Sequence, residues 1–113
     1  MSDQVNIDEL ASLIHSTARE KGFWDACSED TQTIFVLKQI AMCHSELSET
    51  LEAYRKEKGD REVVEELADT MIRVMDLWAG LVRLGYTEES LQDVLLSKMG
   101  VNTSRPRMHG VLA

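Results

Sequence analysis

The sequence predicts an all-α protein: a four-helix bundle-like single domain whose core is completed by oligomerisation. Three observations predict it. Apolar residues recur at helical spacing through four segments. Each segment is bounded by a capping residue or a glycine. No stretch alternates with period two over a useful length, so no sheet is expected.

The first helix starts at Asn6, a capping residue with Glu9 at the reciprocal capping-box position. Leu10, Leu13, Ile14 and Ala18 line one face, and Gly22 ends it. A loop with Phe23, Trp24, Asp25, Cys27 and Ser28 follows. The second helix runs from Asp30 or Thr31 to about Lys58, its period kept by Ile34, Leu37, Ile40, Ala41, Leu47, Leu51 and Tyr54. Asp60 is a suitable cap for the third, which carries Val63, Val64, Leu67, Met71, Val74, Leu77, Trp78 and Leu81 to Gly85. Trp78 sits at core spacing. Thr87 caps the fourth, with Leu91, Val94, Leu95 and Met99, and Gly100 stops it. Short loops imply antiparallel neighbours. The domain spans residues 1–113, with 101–113 a basic C-terminal tail. So small a domain buries only ~65% of its unfolded-chain surface. Helices two and three are also apolar over a broad arc, which favours a homo-oligomer; a monomeric bundle is the other reading.

Composition excludes several classes. With 43% hydrophobic residues the chain has enough apolar content for a core, which argues against wholesale disorder. One Pro and six Gly exclude collagen-like and low-complexity sequence. No apolar run approaches the ~18 residues of a membrane span. The first thirty residues are acidic and polar, unlike a signal peptide. Cys27 and Cys43 read as free thiols of a cytoplasmic protein. The net charge of −8 disfavours nucleic acid as a partner. Residues 1–97 hold all twenty acids, whereas the last sixteen hold Lys98, Arg105 and Arg107 and no acid. An acidic body can collect cations and a basic tail a small anion. The plainer reading is a solvated acidic surface with a frayed end.

Helix two contains Glu46-Leu-Ser-Glu49 and helix three Glu66-Leu-Ala-Asp69. Residues three apart share a helical face. Both pairs lie inside apolar stretches, where carboxylates are costly unless paired or metal-bound. Antiparallel helices would bring the pairs opposite each other, and four oxygen ligands suit Mg²⁺ or Mn²⁺. Spacing alone leaves the matter open, because Glu49/Glu52, Glu57/Asp60 and Glu62/Glu65 have it too. The acids could equally face water or pair with Arg55, Arg61 and Arg73. A di-iron site would need Glu-x-x-His on two helices, and there is none. Zinc-ligand spacing is also missing.

Glu46-x-x-Glu49, sixteen intervening residues and Glu66-x-x-Asp69 resemble the all-α nucleoside triphosphate pyrophosphohydrolases, specifically the MazG-like branch. Lys21-Gly-Phe-Trp-Asp25 resembles its compact single-domain members. The tail Lys98-x-x-x-Asn102-x-x-Arg105-Pro106-x-x-His109-Gly110 is similar to the family's C-terminal segment. The resemblance covers the chain from His15 to Gly110. It implies a MazG fold that hydrolyses (deoxy)nucleoside triphosphates to the monophosphate and pyrophosphate, as nucleotide-pool house-cleaning. It implies that Glu46, Glu49, Glu66 and Asp69 hold Mg²⁺, and that the chain works as a homodimer or a dimer of dimers with sites between subunits. In related deoxynucleotide pyrophosphatases a His and a Trp nine residues apart line the base pocket; His15 and Trp24 have that spacing. Those relatives place an aromatic hydroxyl four residues after the metal Asp, where this chain has Arg73.

Such chemistry has physical requirements. Metal must screen a triphosphate in an acidic cleft. A carboxylate not fully used as a ligand, Glu46 or Glu49, would take a proton from the attacking water. Lys38, Lys98, Arg105 and Arg107 are the candidate phosphate contacts, with Asn102 offering a hydrogen bond. Two competitors stand against this reading. One is a non-catalytic helical oligomerisation or regulatory module. The other is a phosphoribosyl-ATP pyrophosphohydrolase, against which the Trp24 loop and the Arg105-Pro106 tail argue.

Overall fold

The computed structural model describes residues 4–107. It contains four helices: α1 (Ile7–Glu20), α2 (Gln32–Arg55), α3 (Asp60–Arg83) and α4 (Leu91–Thr103). There is no strand among the described residues. Asn6 caps α1 as expected, its Oδ1 accepting from the Glu9 backbone N–H at 2.8 Å. The return is different from a capping box: Glu9 accepts from the Asn6 side-chain amide at 2.7 Å. The turn from α2 to α3 places Glu57 (φ 52°) and Gly59 (φ 108°) in the left-handed region. Gly59 is the N-cap of α3, so Asp60 stands inside the helix as an acidic first-turn residue rather than as its cap.

The ends of α4 depart from expectation. Ser90 is the cap, its Oγ accepting from the Asp93 N–H at 3.0 Å, while Thr87 caps only the turn before it through the Glu89 N–H. The helix also runs through Gly100 to Thr103. A second cap comes from α1. The Asp8 carboxylate accepts the Leu91 and Gln92 backbone N–H groups at 2.6 and 3.2 Å. An acid at a helix N-terminus satisfies orphan donors and meets the positive end of the dipole.

α2 and α3 form a hairpin along much of their length, α1 lies on α3, and α4 packs chiefly on α1. The buried apolar set is small: Ala11, Trp24, Phe35, Ala53 and Leu91. Trp24 is its centre, tilted against Phe35 with ring centroids 5.0 Å apart. Its ring also lies on Gly80. A β-carbon there would stand 2.1 Å from the indole, so only glycine fits. Trp78 is half-buried rather than enclosed. Much of the periodic apolar face is open to solvent in a single chain, including Ile34, Leu37, Leu47 and Leu51 on α2, Leu67 and Met71 on α3, and Leu96 and Met99 on α4.

Candidate functional site

The α2–α3 hairpin brings Glu46, Glu66 and Asp69 together. One carboxylate oxygen of each lies within 4.8 Å of the others. Glu46 and Glu66 are half-buried and Asp69 is exposed. Glu66 Oε2 is buried and makes no hydrogen bond. An acceptor left so costs about 1–3 kcal/mol. An oxygen-only donor set with an unsatisfied acceptor fits a hard divalent cation. Arg73, one turn beyond Asp69, donates from Nε to Glu46 Oε1 at 3.3 Å and compensates part of the clustered charge. Glu49 is exposed and lies outside this triad. It lines a neighbouring groove with Glu52, Lys58, Glu62 and Glu66, so Glu66 is shared between groove and triad. Arg55 and Arg61 pair with Glu52 and Glu65, leaving the triad to Arg73.

A cleft of about 280 Å³ opens beside the triad. Ile14, Ala18, Phe23 and Ile72 form its apolar wall, with Thr17 and Lys21 from the end of α1. Glu46, Asp69 and Arg73 stand along it, and Asp76 lines it as well.

His15 and Trp24 are both buried, at 5% and 4% exposure, and their polar atoms turn toward Asp76. His15 Nδ1 donates to Asp76 Oδ1 at 2.7 Å. Trp24 Nε1 donates to Oδ1 at 3.0 Å and to Oδ2 at 3.1 Å. The two rings meet edge to face with centroids 4.7 Å apart. Arg83 Nε donates to His15 Nε2 at 3.1 Å, and its guanidinium stands 5.7 Å from the Trp24 ring centroid. Guanidinium has donors only, so Nε2 is the acceptor and Nδ1 carries the proton that faces Asp76. Sequence reasoning did not single out Asp76. The signal for it was an acid seven residues after Asp69, on the same face of α3.

Cys43 lies near this end of the hairpin. Burial pushes its thiol above the ordinary range, Arg73 pulls it down, and Asp76 and Glu46 push it further up. The remaining candidates stand apart. Lys38 is exposed on α2, Lys98 and Asn102 are exposed on α4, and Arg105 and Arg107 follow that helix. None of these lines the cleft. His109 and Gly110 lie outside the described residues. No described helix is long and apolar enough to cross a membrane. No protein-family model, curated protein or solved structure matches the chain.

Proposed function

We propose that the chain is a MazG-like, divalent-cation-dependent pyrophosphohydrolase of (deoxy)nucleoside triphosphates, acting on the cytoplasmic nucleotide pool. The observation that carries this reading is the convergence of Glu46, Glu66 and Asp69, with an orphaned Glu66 oxygen, beside an apolar-walled cleft. Glu46, Glu66 and Asp69 would hold Mg²⁺, or Mn²⁺ in its place, and such an ion would supply charge neutralisation for the phosphates and acidify the attacking water. Glu49, beside the triad but not in it, is free to accept the water's proton. The water oxygen bonds to the α-phosphorus, the α–β anhydride bond breaks, and the bridging oxygen leaves with pyrophosphate. Arg73 exchanges Glu46 for a phosphate oxygen, and the apolar wall receives the base. The exposed apolar faces of α2, α3 and α4 are covered by further copies, as a homodimer or homotetramer. Lys98, Asn102 and Arg105 reach the phosphates in that assembly.

Pyrophosphate release from the common ribo- and deoxyribonucleoside triphosphates, with Mg²⁺ and with EDTA, tests this on wild type and Glu66→Gln. The expected outcome is metal-dependent release that falls at least a hundredfold in the variant while circular dichroism is unchanged. A chain that cleaves no triphosphate and whose variant differs only in stability would be the oligomerisation module, the reading that the exposed apolar faces alone favour.

A further inference from the structure

We infer that Asp76 selects the base: it accepts a hydrogen bond from the amino group of a cytosine or adenine nucleotide and disfavours bases that carry a carbonyl there. The inference rests on reading the cleft as a nucleotide site. Asp76 is only 7% exposed, yet it lines the cleft seven residues beyond Asp69. Its two oxygens are used unequally. Oδ1 takes the His15 N–H and the nearer arm of the Trp24 N–H, whereas Oδ2 has only the longer arm of that same indole N–H. A carboxylate offers about four acceptor positions, so Oδ2 keeps capacity to spare. The neighbouring cations do not use it: Arg83 is bonded to His15 and Arg73 to Glu46. The carboxylate is also held still. Two ring N–H groups fix it, and Trp24 is itself wedged against Gly80.

An ionised carboxylate brings no hydrogen, so its ligand must donate one. The apolar wall, with the exposed Phe23 ring, suits the flat face of a base. Cytosine and adenine present an amino group on the edge away from the sugar. Uracil and thymine present a carbonyl at the same place, which would set lone pair against lone pair. Guanine has a carbonyl there as well, and its N1–H and amino group pair best with both oxygens of a carboxylate, one of which here already holds two donors. A site built around one polar partner discriminates strongly against a ligand that leaves it unpaired.

Two matched pairs isolate the amino-to-carbonyl exchange: CTP against UTP, and ATP against ITP. The experiment measures kcat/KM for both pairs and, by calorimetry without metal, the binding of CMP against UMP. Wild type is expected to favour the amino partner at least tenfold in each comparison. Asp76→Asn places an amide N–H₂ at the site and is expected to abolish or invert that ratio. Equal treatment of the paired ligands by wild type, or a preference for the carbonyl partner, overturns the inference without reference to any variant. An unchanged ratio in a folded Asp76→Asn chain overturns it too. Selective CMP binding without hydrolysis would sink the proposed reaction and leave the base selection standing. Hydrolysis without selection would do the reverse.

Discussion

At position 80 a missing β-carbon decides where the indole of Trp24 can lie. Gly80→Ala is expected to cost about 1–3 kcal/mol, the usual cost of overpacking a filled site, read from urea unfolding followed by tryptophan fluorescence. The indole and the His15 imidazole were legible in the sequence as a pair nine residues apart. Their direction was not. A nine-residue separation, with His15 on α1 and Trp24 in the loop after it, does not say whether the two side chains meet a ligand or each other, and here both meet Asp76. The partner escaped notice because one acid among twenty carries little signal until burial is known. Cys43 offers a second test at this scale. Its raised thiol means that the folded chain holds the proton more tightly than the unfolded one. The stability this represents is complete below the unfolded thiol's pKa and is lost as pH rises through the folded value. Alkylation of Cys43 by iodoacetamide should therefore reach its midpoint at higher pH in the native chain than in urea.

Among the elements, α4 has the weakest attachment and the least expected ends. Its four apolar residues were enough to place it, but the expected cap Thr87 and the expected stop Gly100 were both wrong, since Ser90 caps the helix and it runs on to Thr103. Thr87 and Ser90 are both competent caps, and the choice fell to tertiary contact with Asp8. Gly100 is tolerated inside the helix at a cost of about 1 kcal/mol relative to alanine. A β-carbon there would meet nothing within 4 Å. Gly100→Ala should therefore stabilise the protein by roughly 0.5–1 kcal/mol, seen as slower amide exchange in the last turns of α4. The α2–α3 hairpin was the most legible part. Its two acid pairs and short turn predicted convergence, and three of the four carboxylates do converge. Glu49 falls outside and lines the next groove instead, although its separation from Glu46 is the same as that of Asp69 from Glu66.

For the molecule as a whole, the notable quantity is how much periodic apolar surface a single chain leaves uncovered. Leu37 and Leu51 are 61% and 58% exposed on α2, fourteen residues apart on one face. If copies cover that face, the wild-type melting temperature should depend on protein concentration, and Leu51→Glu should shift sedimentation toward monomer and remove that dependence. The all-helical architecture was legible because the helical period ran through every segment, even where the expected caps and stops of α3 and α4 were misplaced. Its completion was not, since a sequence records that a face is apolar without recording what lies on it. The Asp8 cap on α4 has a consequence in time. Asp8 lies 83 residues from Leu91, so this cap cannot form until α1 has found its place and the chain between has closed. α4 should then be the last element to set. Asp8→Ala should accelerate unfolding and leave the refolding rate nearly unchanged, the signature of a contact made after the transition state.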